Sequence, residues 1–429
     1  MGGERMRKVF INLACLILLI GVVIGLNVPA ESKGQVKLSF WVPSEGNNWM
    51  EYWKNAVREF EASNPHIKVE LTMIPASGLD IETKLNAAKL SGTYPDVLAA
   101  YLMFIGSRGS RNEFAGLEGY VNRWADKSDL FDSVYEIGKY KGDLIGIGYC
   151  PAPAMLVYRK DYFQEAGLNP NKAPATWEEL SAYAVKLTKK DENGNVIRAG
   201  FDLPVTDAFT FPVAFIRQNG SMLIDEKKQK PHLNDAAAAE AIQYLSNLYA
   251  KKVSIPFDYQ KGDTVPFVNG QSAMAFLSPN NISTLIQAHP DLKDKVAIAP
   301  VLKRKVKNAF AGYRLLVIGK NSKYKNESWA LIKFLMSKEQ MKKRMIDLKV
   351  PVVRKSMTPD FVNLDPANKI VLEYVEFGKG QPVVPWVSLY IKYAEQAYEE
   401  ALNHKKTAQQ ALNDAQKSLE DELKKFNLQ

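Results

Sequence analysis

Only two cysteines and four histidines occur in the 429-residue chain. Cys15 lies in an apolar leader, so removal of that leader leaves Cys150 alone and no intrachain disulfide can form. His66, His232, His289 and His404 are far apart and lack metal-ligand spacing, and there is no Gly-x-Ser-x-Gly elbow. The usual signatures of zinc enzymes and serine hydrolases are therefore missing, and no cofactor is implied. A glycosidase-type pair of carboxylates stays open, because such pairs meet only in space. Fixed-period repeats and low-complexity stretches are absent as well. Nor is charge of one sign concentrated. Beyond residue 30 the chain carries 53 Lys+Arg (56 less Arg5, Arg7 and Lys8) against 46 Asp+Glu (47 less Glu4). The surplus of +7 is spread along the sequence. Nucleic-acid binding needs a concentrated basic surface with stacking aromatics, so none is expected.

What is present begins with the leader. Arg5, Arg7 and Lys8 precede an apolar run from Val9 to Leu26, and Val28-Pro29-Ala30 supplies small residues before the polar Glu31-Ser32-Lys33. This reads as a secretory signal cleaved after Ala30, residues 1–30 being the signal peptide. The run, about 18 residues, is also just long enough for an uncleaved anchor. Asn12-Leu13-Ala14 before Cys15 is a poor lipidation signal, and most of the apolar core follows it. The protein is thus expected outside the cytoplasm, periplasmic or at the cell surface.

Periodicity then alternates between strand and helix. Val36, Leu38 and Phe40 mark a first strand, followed by a helix with Trp49, Tyr52, Trp53, Ala56, Val57 and Phe60 on one face. Ile67 to Met73 alternates as a second strand, Ile81 to Leu90 is helical, and Asp96 to Leu102 is a third strand. This βαβαβ order predicts a mostly parallel sheet with helices on its faces. Thr176 and Glu179 form one helix-opening capping box, with its helix running to about Lys189, and Thr407 and Gln410 form another. Ala236 to Lys251 is a strong helix, and Ala408, Ala411, Leu412, Ala415, Leu419 and Phe426 make the apolar stripe of the last one.

Several segments together carry a resemblance. Leu144-Ile145-Gly146-Ile147-Gly148-Tyr149 runs into Leu156-Val157-Tyr158-Arg159-Lys160-Asp161, then Ala166-Gly167-Leu168 and Pro174-Ala175-Thr176-Trp177-Glu178-Glu179-Leu180. Phe267 to Phe276, Phe310 to Ile318 and Val350-Pro351-Val352-Val353-Arg354-Lys355-Ser356 follow in order, with Lys349 where a Gly is usual. In order and spacing these resemble the sugar-type extracellular solute-binding proteins of ABC importers (solute-binding protein family 1, maltose-binding-protein-like). The resemblance implies an α/β, two-lobed periplasmic-binding-protein-like fold of class II type, each lobe a mostly parallel sheet flanked by helices, with the ligand cleft between lobes. The N-terminal lobe would comprise 31–150 plus 312–355 and the C-terminal lobe 151–311 plus 356–429. Hinge crossings would lie near 149–153 and 309–314.

In such an arrangement ligand-binding loops converge at the carboxyl ends of the strands. Sugars need aromatic platforms and side chains that hold hydroxyls. Ser44, Glu45, Asn47 and Asn48 follow the first strand and Tyr101 ends the third. Tyr149 lies at the hinge, Asp207 and Phe209 follow Phe201, and Asn280 and Asn281 follow Phe276. Tyr313, Arg314 and Trp386 complete the set by resemblance. Trp49 and Trp53 are assigned to the core. Each site residue also has a plainer reading: Tyr101, Phe209 and Trp386 as core, Glu45 as an acid at a helix N-terminus. Arg314 either faces outward or meets an acidic group, such as a uronate, on the ligand. The implied partners are a carbohydrate and the membrane permease subunits of an ABC importer, the protein itself a monomer. A non-sugar solute, a sensor role for a membrane kinase and a secreted glycoside hydrolase are the alternatives.

Overall fold

The computed structural model describes residues 35–205, 211–225, 228–258 and 264–425. The leader, Asp207, Phe209 and Phe426 lie outside them.

Strand β1 (Val36–Pro43) buries Leu38, Phe40 and Val42, and helix α1 (Asn47–Ser63) buries all six residues of its apolar stripe. Trp49 and Trp53 are core residues, and Phe40 meets the Trp53 ring edge-on at 5.4 Å. Strand β2 (Ile67–Ile74), helix α2 (Gly78–Ser91) and strand β3 (Val97–Tyr101) follow. β1 pairs in parallel with β2 on one edge and β3 on the other, as the βαβαβ order requires.

After helix α3 (Met103–Gly109) the chain makes its first crossing as β4 (Ile147–Pro153), continued by β5 (Met155–Arg159). Helices α4 (Trp177–Leu187), α5 (Phe211–Gln218) and α6 (Ala236–Ala250) then build a second core. Thr176 caps α4, its Oγ1 accepting from Glu179 N at 3.2 Å, but the Glu179 carboxylate reaches past it to Ala175 N at 2.9 Å. The helix stops at Leu187 rather than Lys189 because Lys189 and Lys190 enter a short ladder with residues 196–198. β6 (Met274–Leu277), α7 (Pro279–Ala288) and β7 (Val296–Ile298) complete this part. β6 and β7 run antiparallel to the β5 they flank. Parallel pairing therefore dominates only around β1. The long excursion from 160 to 273 returns the chain against the direction of β5.

β8 (Ala309–Ile318) is the second crossing, antiparallel to β3 and to β4. Helices α8 (Lys325–Leu335) and α9 (Lys338–Asp347) pack on the first core. Lys349, where the resembled family carries Gly, takes φ 55°, the left-handed region that favours glycine. α10 (Thr358–Leu364) and α11 (Asn368–Glu376) overturn one boundary: residues from 356 onward were expected in the second lobe. Phe361, Val371 and Tyr374 instead enter the first core, because these two helices bury their apolar faces there. The last crossing comes later, at β9 (Gly378–Lys379), which pairs in parallel with Ala309 and Phe310. α12 (Val387–Leu402) and α13 (Ala408–Lys425) close the second core. The Thr407 box is reciprocal: Thr407 N donates to Gln410 Oε1 (3.1 Å) and Gln410 N to Thr407 Oγ1 (3.2 Å).

Candidate functional site

The register of β8 builds the central feature. Arg314 lies opposite Tyr101 on β3 and opposite Cys150 on β4. Directly paired residues point to the same face of a sheet, so the three side chains share one side. The loop after β1 brings Glu45 onto that side. Glu45 Oε1 accepts from Arg314 Nε at 2.7 Å and from Tyr101 Oη at 2.8 Å. Arg314 Nη1 lies 3.1 Å from Cys150 Sγ, and its guanidinium carbon stands 5.2 Å from the Trp49 ring centroid. The ion pair sits at the edge of solvent, with 21% of the Arg314 side chain and 12% of the Glu45 side chain exposed. Neither Glu45 Oε2 nor Arg314 Nη2 has a hydrogen-bond partner among the described residues.

Electrostatics follow from burial and this pair. Burial, then the Glu45 carboxylate, raises the Tyr101 hydroxyl above its ordinary value. Burial likewise raises the Cys150 thiol, with Arg314 opposing it. The structure does not place Arg314 against a ligand acid: its charge is already matched by Glu45. Glu45 in turn is no helix-opening acid, because its carboxylate is turned to Arg314 and Tyr101.

Ser44, Asn47 and Asn48 are exposed beside this cluster. Asn280 and Asn281 are exposed in the first turn of α7, whose Ser278 cap accepts from Asn281 N at 3.2 Å. Ile282 of the same helix packs on the first core and on the cluster around Val157 and Phe257, so α7 lies at the junction. Three expected site residues are core instead. Tyr149 is 1% exposed, bulged out of the ladder between Arg314 and Leu315, its ring 5.8 Å from that of Trp53. Tyr313 points from the opposite sheet face into the cluster of Leu98, Leu102 and Phe104. Trp386 is 2% exposed in the second core, its Nε1 without a partner among the described residues. None of the three offers surface to a ligand in this conformation. Cys150 and the Trp49 face were not anticipated as Arg314 contacts. The strand register alone reveals them, and it is not written in a local motif.

Among the described residues no group of three or more His, Cys, Asp or Glu could hold a metal ion, and no helix is long and apolar enough to cross a membrane.

The chain belongs to the bacterial extracellular solute-binding protein family, whose model matches residues 55–370. A binding protein of Brucella abortus is 25% identical over 298 residues, 67% of this chain and 69% of the relative. The sugar-binding protein MalE of Xanthomonas citri superposes with a TM-score of 0.79 at 21% identity, covering 91% of this chain and 98% of that one. The GacH receptor of Streptomyces glaucescens, solved unliganded and with acarbose, gives 0.78 at 19% identity, covering 91% and 99%. The two-lobed solute-binding fold expected from the sequence is the fold found.

Proposed function

We propose that this protein captures a carbohydrate, of oligosaccharide size, between its lobes and presents it to the permease subunits of an ABC importer. The observation that carries this reading is the Glu45–Arg314 pair at the carboxyl ends of β1 and β3, in a chain of the extracellular solute-binding family. Glu45 Oε2 is an acceptor and Arg314 Nη2 a donor, both on one ion pair, which suits the paired hydroxyls of a sugar. Because the pair is neutral overall, a neutral diol fits better than a uronate or a phosphodiester. Ser44, Asn47 and Asn48 on one side and Asn280 and Asn281 on the other supply further hydroxyl partners. The likeness to the sugar-binding protein of Xanthomonas citri and to the acarbose-bound receptor of Streptomyces glaucescens supports the ligand class.

Binding takes place by rotation about the crossings near 149–153, 309–314 and 376–384, and the solute leaves chemically unchanged. The protein works as an exported monomer, its leader removed after Ala30 and no lipid attached at Cys15.

A thermal-shift screen of the chain from Glu31 against neutral and acidic mono- and oligosaccharides tests this. At one hundred times its Kd a ligand stabilises the native state by about 2.7 kcal/mol, a shift of a few degrees. A dose-dependent shift with the sugar recovered intact is the expected result. Cleaved sugar would make the protein an enzyme. A shift from phosphodiesters, polyamines or metals alone would overturn the ligand class.

A further inference from the structure

Helix α5 is buried along its whole length, from Phe211 to Gln218. Its last two residues reach out of the second core and hold both later crossings. Arg217, 3% exposed, forks its two terminal nitrogens onto the carbonyl oxygens of Lys379 (Nη1, 2.8 Å) and Gly380 (Nη2, 2.7 Å). Gln218 Nε2 donates to Asn308 O at 2.7 Å, just before β8, while its Oε1 accepts from Trp177 Nε1 at 2.6 Å. The gripped segment is tightly seated: a Cβ on Gly378 would come within 2.4 Å of Ala311 Cβ, and one on Gly380 within 2.2 Å of Leu102 Cδ2.

The far end of β8 is held by the other lobe. Residues 314–318 pair with β3, and Arg314 is tied to Glu45. Tyr313 O accepts from Leu102 N at 3.0 Å, so between the two grips Ala311 and Gly312 remain, opposite Pro153 and Ala152. Ala154 N donates to Phe310 O at 2.9 Å, so by the alternation of an antiparallel ladder Pro153 and Pro151 stand at its non-hydrogen-bonded positions and remove no β4–β8 bond. Gly312 is not demanded by packing, since a Cβ there would meet nothing closer than 3.6 Å. What glycine adds at that position is backbone freedom.

We infer that Arg217 and Gln218 are positioning residues of the hinge: they lock residues 308–310 and 378–380 to the second lobe and confine the rotation of β8 to Ala311 and Gly312. The inference rests on the lobe closure proposed above. Neither side chain need touch the solute.

Spin labels at Lys54→Cys on α1 and Lys417→Cys on α13, both exposed positions, report the interlobe distance in the otherwise intact protein. The buried Cys150 stays in place, and its lack of labelling is checked on the parent. In the unliganded protein, Arg217→Met is expected to broaden the distance distribution by about one half, and Arg217→Lys to restore part of the parent width. Gly312→Ala is expected to narrow it. A folded Arg217→Met with the parent's width would overturn the clamp. If Arg217→Met does not fold, Gly312→Ala decides, and an unchanged width there overturns the pivot. Failure of the closure reading looks different: the parent's mean distance would not move with any sugar of the thermal-shift panel.

Discussion

Arg314 and Cys150 face each other across two crossing strands, guanidinium Nη1 and thiol sulfur 3.1 Å apart, while Arg314 Nε closes on Glu45 at 2.7 Å. One side chain thus joins both crossings to the loop after β1. Removing it leaves a largely buried carboxylate with only the Tyr101 hydroxyl for company. Arg314→Ala should cost about 2 kcal/mol in a denaturant melt, less than for a fully buried pair because both side chains keep some solvent contact. The sugar bound by the wild type should bind about tenfold more weakly by calorimetry, a loss near 1.4 kcal/mol. Acidic sugars should show no advantage over neutral ones in the wild type, and a clear preference for them would restore Arg314 as an anion receptor.

Asp202 gives a pH dependence whose sign follows from burial. It is 2% exposed, with Oδ2 accepting from Phe267 N at 3.0 Å and Oδ1 without a partner among the described residues. Burial pushes its carboxyl up to about 7, with hydrogen bonds from Ser272 and Phe267 opposing. An unfolded Asp titrates near 3.9, so between roughly pH 4 and 7 the folded state holds the extra proton. Its stabilising contribution is complete below that window and is lost as the pH rises through it. From pH 5 to pH 8 wild type should lose about 2–3 kcal/mol through this residue. Asp202→Asn should lack that increment in paired urea melts, and equal pH slopes for the two proteins would refute the assignment.

The thiol of Cys150 is 2% exposed and raised by burial, so it should resist aromatic disulfide reagents in the native protein and react stoichiometrically in denaturant. Rapid native labelling would show that the crossing opens far more often than its packing implies.

Lys349 sits at φ 55°, and its Nζ donates to Ile346 O at 2.7 Å. Lys349→Gly relieves the left-handed strain, about 1–2 kcal/mol, against roughly 0.5–1 kcal/mol of added unfolded-state entropy. A gain of about 0.5–1 kcal/mol is expected in a denaturant melt. A loss would mean that the lysine's hydrogen bond outweighs the strain.

Thr407→Ala removes the side-chain half of the α13 capping box and should cost about 1 kcal/mol. Thr407→Ser, which keeps the hydroxyl, should recover most of it.

Much of the architecture is local and was therefore legible. The stripe of α1, the alternation of β1 and the Thr407 box depend on neighbours a few residues away. The order of motifs from Gly146 to Ser356 marked the family. The site was less legible. Tyr149 was assigned by its place at the hinge and Tyr313 and Trp386 by resemblance, and all three are buried. A bulge at Tyr149 and the two-faced alternation of β8 decide which side chains reach solvent, and a shift of one residue reverses them.

By itself, then, the chain determined which segments become strands and helices, because periodicity and capping act over one or two turns. It also determined the class of protein, because the motifs occur in a fixed order. Tertiary structure alone decided that Arg314 pairs with Glu45, 269 positions away, and that α10 and α11 join the first core. It alone set the carboxyl-terminal end of α5 on both later crossings. Those outcomes depend on strand register and on which apolar face finds which core. Both are properties of the whole packed chain, and no short stretch of it carries them.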